Sequence, residues 1–153
     1  MAVIINASTS TGLVQSADTS GVITLQNNGT NAVTVDNGNL QFNSGYGSVA
    51  TAYGCRAWVN FNGTGTVAIR ASGNVSSITD NSTGDYTVNF TNAMPDADYA
   101  VTGTAGGGGS NPNNYLTGPS TATPMSTTQF RFQTRNDTAS FVDSETTMLS
   151  VFR

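Results

Sequence analysis

The stretch CRAWVNFNGTGTVAIRASGNVSSITDNSTGDYTVNF, residues 55–90, decides the fold of this chain. Its first eight residues alternate between an apolar set and an aromatic or polar set, the period of two that gives a strand two different faces. The sequence NGTG at 62–65 supplies a tight turn, and a second alternating run follows through Val67 and Ile69. A polar cluster at 80–85 leads to a third run at 86–90. The pattern predicts an antiparallel three-stranded meander.

The composition favours an all-β chain. Charged residues are only 9% of the 153 residues, and Ser, Thr, Asn and Gly, which disfavour helices, fill their place. No stretch shows a sustained apolar period of 3.6 residues, whereas Asn-Gly and Thr-Gly pairs recur. We count about six strands after residue 52, enough for an antiparallel, jelly-roll-like β-sandwich.

Several ordered segments resemble a module near the C-termini of bacteriophage tail-fibre and related virion proteins. The segments are RAWVNFNGT (56–64), IR (69–70), NVSSITD (74–80), GDYTVNF (84–90), AMP (93–95) and YAV (99–101). The N-terminal run is similar, more loosely, to the openings of phage fibre-like proteins. The resemblance implies a virion structural protein, homotrimeric as fibre relatives are, and it brings no catalytic residues to transfer.

The chain divides into two predicted parts. Residues 1–45 are predicted to form a small β-meander for virion attachment or trimerisation, with a strand candidate at 2–5 and short strands at 22–26, 32–36 and 40–42. Turns at 27–30 and 36–39, each with an Asn-Gly pair, are predicted to join the three short strands. Such a meander cannot be stable alone, so it must pack on the rest of the chain, on its own copies or on another protein. Residues 46–153 are predicted to form the sandwich knob, reached through a Gly- and Ser-rich connector at 43–53.

The residue types that are missing, together with the net charge, exclude several classes of function. The chain has no histidine, and its five cationic residues are all arginine, so histidine-based triads, histidine metal sites and Ser-Lys catalysis are excluded. Scattered arginines and a net charge of −4 argue against nucleic acid and against membrane binding through a basic patch. The start lacks the pattern of a signal peptide or a membrane span, so we expect assembly in the host cytoplasm. We expect no cofactor and no metal.

Two pairs of aspartates are the candidates for acid-base chemistry or for a calcium site. They are Asp80 with Asp85 and Asp96 with Asp98. Both pairs lie in turn-like sequence, where aspartate accepts hydrogen bonds from its own backbone, and their spacing fits no dedicated calcium loop. We therefore predict that they stabilise turns.

A surface recognition site is predicted beside the glycine-rich loop at 105–114. Its residues are Tyr115, Asn111, Asn113 and Asn114, because sugars stack on aromatic rings while amides bind their hydroxyls. Trp58 and Tyr86 are predicted to pack on neighbouring strands instead. The single cysteine, Cys55, belongs to the apolar set of the alternating run and is predicted to be a buried, inert thiol.

Two functions fit these features nearly equally. One is a fibre-type virion appendage that contacts the host surface through a glycan. The other is a capsid decoration, or cement, protein that stabilises the phage head. The expected partners are copies of the chain, other virion proteins (tail or major capsid protein) and a host surface glycan. A free carbohydrate-binding module ranks third, and an enzyme ranks last because the residues it would need are missing.

Overall fold

A computed structural model of the protein describes residues 21–43, 49–107, 114–118 and 125–153, which form two compact units within residues 1–52 and 53–153. The predicted all-β antiparallel fold is confirmed: none of the described residues is helical, so no helix among them could cross a membrane. The predicted strand at 2–5 lies outside the described residues. The strands of the first unit are β1 (Ile23–Asn27), β2 (Thr30–Asp36), β3 (Asn39–Phe42) and β4 (Ala50–Thr51).

The first unit is an antiparallel sheet in the order β1-β2-β3-β4. Asn28-Gly29 and Asn37-Gly38 close its two hairpins, and all four residues have positive φ, as a two-residue type I′ turn requires. The sequence predicted both turns. It did not predict β4, which lies in the region taken as a connector and pairs with the end of β3.

The second unit is an eight-stranded sandwich. Its strands are β5 (Cys55–Asn62), β6 (Ala68–Gly73), β7 (Val75–Ser82), β8 (Asp85–Phe90), β9 (Ala100–Gly106), β10 (Tyr115–Thr117), β11 (Gln129–Arg135) and β12 (Thr146–Phe152). One sheet has the order β6-β5-β12-β9, which we call the Trp58 sheet, and the other has the order β10-β11-β8-β7, which we call the Asp85 sheet. Two strands more than expected are present, and eight strands in two sheets is the count of a jelly roll.

The predicted three-stranded meander is wrong in its connection. β6 and β7 follow each other directly but belong to different sheets, because the chain turns at Asn74, which has a φ of 56°. The Asn74 amide nitrogen donates to the carbonyl oxygens of Arg56 and Asn92, and its oxygen accepts from the Asn92 backbone at 2.8 Å. These bonds hold the left-handed conformation that asparagine tolerates better than most residues.

Aromatic side chains fill the space between the two sheets. The rings form a continuous series in contact, with centroid separations of 5.3–6.3 Å: Phe61, Tyr86, Phe132, Phe130, Phe90 and Tyr99. Tyr86 is completely buried, which confirms its predicted packing role. Because edge-to-face pairs such as Phe61 and Tyr86 add to the energy of apolar burial, this series is the main source of cohesion between the sheets.

Candidate functional site

The outer face of the Asp85 sheet satisfies its own hydrogen bonds. The Asn89 amide donates to the hydroxyls of Ser77 and Thr79, both at 3.0 Å. The Asn81 amide donates to the Thr87 hydroxyl at 2.9 Å. Polar groups that are paired in this way have little left to offer a ligand.

An ion pair closes one end of this polar face. Arg131 binds the Asp85 carboxylate through two nitrogens, at 2.6 and 2.7 Å, and Gln133 and Asn81 add weaker contacts. The hydrogen bonds from Arg131 lower the pKa of Asp85, although burial of the carboxylate opposes them. Asp85 is therefore held ionised at the start of β8, and a bidentate pair of this kind fixes geometry as well as charge.

The outer face of the Trp58 sheet has a different character. Cross-strand pairing places Trp58 beside Ser150 and Thr102, and the next row beside them contains Asn60, Met148 and Thr104. Trp58 is 44% exposed and Met148 is 42% exposed. β12 carries apolar side chains on both faces, but only its inner residues, Thr147, Leu149 and Val151, are buried.

Trp58 lies across the sheet rather than standing away from it. Its cross-strand neighbour on β6 is Gly73, and the indole occupies the place where a side chain at Gly73 would begin. Glycine at this position lets the ring rest on the neighbouring strand while much of it stays in solvent. The prediction that Trp58 packs on the sheet is thus correct for its contact with Gly73, but the ring is also an exposed apolar surface.

A cleft of about 450 Å³ lies along β5, β12 and β9 beside Trp58, and we call it the Trp58 cleft. Its lining includes Trp58, Asn60, Met148, Ser150, Thr102 and Thr104. Within the described part of the chain, the hydroxyls of Thr102, Thr104 and Ser150 form no hydrogen bond. At the rim, Arg70 donates to the Phe61 carbonyl at 3.2 Å and lies 3.4 Å from the Asn60 side-chain oxygen. The cleft therefore combines an aromatic surface with unpaired hydroxyls, which suits binding of a polyhydroxylated ligand.

Cys55 also lines this cleft, and the prediction that it is buried is wrong. The register between β5 and β12 shifts between Val151 and Phe152, so Arg56 is an extra residue in the pairing. A bulge of this kind reverses the alternation of faces, and Cys55 falls on the outer side with Phe152. Its thiol donates to the Ala57 carbonyl at 3.2 Å.

A second, apolar cavity of about 340 Å³ lies between the two sheets. Its lining includes Val101 and Gly103 of β9, Leu116 of β10, and Met125. A side chain at Gly103 would meet the Met148 carbonyl and the Leu149 and Leu116 side chains, so glycine here allows β9 to approach β10. The cavity has no charged lining residue and is an extension of the core.

Of the predicted recognition residues, the structure describes Tyr115 and Asn114, and neither lines the Trp58 cleft. Tyr115 is 41% exposed on β10 and pairs with Arg135, so it belongs to the outer side of the Asp85 sheet, opposite to the Trp58 cleft. The Asn114 amide donates to the Ser144 hydroxyl at 3.0 Å. Asn111 and Asn113 lie outside the described residues. Part of the predicted loop is strand, because β9 extends through Gly106 and Ala105 is buried.

The two aspartate pairs have structural contacts. Asp96 accepts a hydrogen bond from the Asp98 backbone at 2.9 Å, as predicted for a turn, and also binds Arg153. The turn prediction is wrong for Asp80 and Asp85, which lie in β7 and β8. Across the described residues, no group of three or more acidic or cysteine side chains is placed to hold a metal ion.

Taken together, the second unit is an antiparallel β-sandwich with one open, aromatic outer face. No family model and no curated protein matches this sequence. Among solved structures it is similar to the phiAB6 tailspike in complex with three-repeated oligosaccharides of Acinetobacter baumannii surface polysaccharide. The TM-score is 0.50 at 13% identity, and the alignment covers 98% of this chain but only 30% of the tailspike chain. At this identity the likeness concerns the fold.

The sequence contains one local signal for the Trp58 cleft. The outward set of β5 places Trp58 and Asn60 on one face, and Met148 lies outward on the strand that closes the chain. Only the pairing of β5 with β12 and of β12 with β9 brings them together, and that long-range pairing cannot be read from the local pattern.

Proposed function

We propose that this chain is a non-enzymatic bacteriophage virion protein, a short fibre-type surface appendage that binds a glycan of the host surface through the Trp58 cleft. The observation that carries the proposal is the half-exposed Trp58 ring beside three hydroxyls without hydrogen-bond partners in the described part of the chain. The sequence resemblance to phage fibre proteins and the fold likeness to a tailspike solved with oligosaccharides support it.

The chemistry of the cleft favours a neutral or acidic saccharide. An indole offers a flat apolar surface for the C–H face of a sugar ring, and threonine and serine hydroxyls both donate and accept hydrogen bonds. Arg70 at the rim supplies the nearby positive charge. No carboxylate lines the Trp58 cleft, so an acidic sugar would meet no like charge there.

Trp58 is the chain's single tryptophan, so its fluorescence reports directly on the cleft. We would titrate the whole chain with a panel of purified bacterial surface polysaccharides and their oligosaccharide repeats. We expect saturable quenching or a spectral shift with at least one of them. A panel that produces no change in the fluorescence of Trp58 and no heat of binding would count against the proposal.

Variants then locate the binding site by calorimetry. Trp58→Ala should weaken binding about 30-fold, the effect of losing an aromatic anchor worth about 2 kcal/mol. Thr102→Val removes one hydroxyl with little change in shape and should weaken binding about fivefold. Tyr115→Ala, on the opposite side of the sandwich, is the matched aromatic control and should change the affinity less than twofold. The reverse pattern would place recognition at Tyr115.

Gold-labelled antibody against the chain, imaged on intact virions, tests the location. Label confined to the tail would support a host-binding appendage. Regular label over the head would instead identify a capsid decoration protein, and particle stability with and without the chain would then be the functional assay.

The absence of enzyme activity is part of the proposal. It is supported by the lack of histidine and lysine and by the ion pairs that occupy Asp85 and Asp96. Release of reducing ends from a bound polysaccharide, abolished by Asp80→Asn or Asp98→Asn, would overturn it.

A further inference from the structure

Charge is distributed unevenly between the two sheets of the second unit. The four strands of the Trp58 sheet contain two arginines, Arg56 and Arg70, and no aspartate or glutamate. Asp80 and Asp85 both lie in strands of the Asp85 sheet. In a chain with a net charge of −4, the sheet that carries the Trp58 cleft is therefore locally cationic.

The two arginines lie on either side of Trp58 along the direction of β5. Arg56 alternates with the buried Ala57, as Trp58 does, so it is exposed on the outer face. Arg70 is exposed on β6 and contacts Asn60, the next outward residue beyond Trp58. Because the row Arg56, Trp58, Asn60 follows one strand, its ends are about 13 Å apart. A ligand that lies on the indole along this row therefore meets one arginine at each end.

Both arginines keep hydrogen-bond donors that a ligand can use. Arg70 contacts the Phe61 carbonyl and the Asn60 side-chain oxygen through the same nitrogen, Nη1. The donors on its Nη2 and Nε have no partner within the described ranges of the chain. The Arg56 side chain forms no hydrogen bond and no ion pair with any residue that the structure describes.

The other arginines of the second unit have partners. Arg131 and Arg153 form ion pairs with aspartates, and Arg135 lies 4.0 Å from the centre of the Phe141 ring. The two arginines of the Trp58 sheet differ from these three, because neither has a carboxylate or an aromatic ring as a partner among the described residues. Their positive charges are therefore available to an anionic ligand.

We propose that the glycan of the Trp58 cleft is an acidic polysaccharide, and that Arg56 and Arg70 bind its anionic groups on either side of the sugar stacked on Trp58. This inference rests on the proposed function and adds the chemical class of the ligand. A guanidinium presents planar donors that match the oxygens of a carboxylate or a phosphate, and hydrogen bonds to charged oxygens are stronger than those to neutral hydroxyls. Salt screens exposed charges beyond about 8 Å, so the nearby arginines outweigh the net negative charge of the chain.

Calorimetry of the whole chain with three sets of purified bacterial polysaccharides tests the charge of the ligand. One set is neutral, one has uronic acid carboxylates as its only anionic groups, and one has phosphodiesters as its only anionic groups. Each uronic acid polymer is also reduced at its carboxyl groups, which gives a neutral chain with the same linkages. We expect binding of an anionic polymer that weakens about tenfold in high salt and, for a uronic acid polymer, is lost on reduction. The set that binds identifies the source of the negative charge.

Variants assign the binding to the two arginines. Arg56→Gln and Arg70→Gln should each weaken binding of that anionic polymer about tenfold, because each removes a charged donor. Arg135→Gln makes the same change in net charge on a strand of the Asp85 sheet and should change the affinity less than about twofold. Urea midpoints of the three variants, followed by the fluorescence of Trp58, check that each one is folded.

The outcomes distinguish this inference from the proposed function. Binding of neutral polymers alone, or equal binding of a uronic acid polymer before and after reduction, would overturn the acidic ligand and leave glycan binding in place. An affinity for the anionic polymer that Arg56→Gln and Arg70→Gln leave unchanged would overturn the role of the two arginines. A lack of binding to every polymer, neutral or anionic, would overturn the proposed function together with this inference.

Discussion

Gly84 and Gly65 have the same positive φ but different surroundings. Replacing each with alanine therefore separates the cost of steric overlap in the core from the cost of the backbone conformation. Gly84 and Gly65 both have a φ of +64°. A side-chain carbon at Gly84 would stand 2.6 Å from the Thr134 carbonyl oxygen and 2.6 Å from the Val142 backbone nitrogen. At Gly65 nothing lies within 4 Å. Alanine at either position bears the conformational cost, but only at Gly84 does it also meet neighbouring backbone.

The surroundings of Gly84 leave no room for adjustment. Its N–H donates to the Asp143 carboxylate at 2.7 Å, and its carbonyl accepts from the Thr134 N–H at 2.8 Å. The left-handed conformation costs an alanine about 1 kcal/mol in both places. Overlap with fixed atoms adds about 2 kcal/mol at Gly84, in the range of overpacked cores. We therefore expect Gly65→Ala to destabilise by about 1 kcal/mol and Gly84→Ala by about 3 kcal/mol.

Urea unfolding at neutral pH, followed by the fluorescence of Trp58, measures both losses within the same unit. With a slope of about 2 kcal/mol/M, Gly84→Ala should lower the midpoint by about 1.5 M and Gly65→Ala by about 0.5 M. Equal shifts for the two variants would refute the reasoning, because they would show that the backbone around Gly84 can move aside without cost.

Three further predictions concern buried polar groups. Tyr86→Phe removes a hydroxyl that donates to the Asp143 carboxylate at 2.8 Å. Burial, and next that carboxylate, raise the pKa of Tyr86. Urea unfolding should show a loss of about 2 kcal/mol, and a loss below about 0.5 kcal/mol would contradict a structural role for this hydrogen bond. Hydrogen bonds from Arg131 lower the pKa of Asp85, and the stability that results is present above pH about 4 and lost as the pH falls through the folded pKa. Arg131→Gln should therefore flatten the decline of the urea midpoint as the pH falls below about 4. An unchanged decline would show that this pair does not govern acid stability. The Thr147 hydroxyl is buried with no hydrogen-bond partner in the part of the chain that the structure describes, so Thr147→Val should raise the melting temperature by about 4 °C, and a decrease would indicate an unseen partner.

Local signals in the sequence predicted the strands well. Asn28-Gly29 and Asn37-Gly38 form the expected hairpin turns, and Ala57, Val59 and Phe61 of β5 lie on the inner face that their alternation predicts. These predictions succeed because a type I′ turn and a half-buried strand each depend on residues that are adjacent in the chain.

Predictions that depended on distant residues were less successful. β7 was missed because its outer face carries Ser77, Thr79 and Asn81, which pair with polar groups of β8, so its sequence is typical of a loop. The face of Cys55 was wrong because a bulge at Arg56, set by pairing with β12, reverses the alternation. The Trp58 cleft was missed for the same reason: it exists only once β5, β12 and β9 are side by side.

The two outer faces of the sandwich differ in how their polar groups are paired. The two sheets share a core, so the stability of the fold gives no reason for their outer faces to differ. On one of them Asn81, Asn89 and Asp85 saturate the polar groups with hydrogen bonds. On the other, the Trp58 indole rests against Gly73, while the neighbouring hydroxyls stay unpaired in the described part of the chain. An exposed ring and unpaired hydroxyls contribute little to the stability of the fold. Binding of a ligand would give a reason for their presence together on one face.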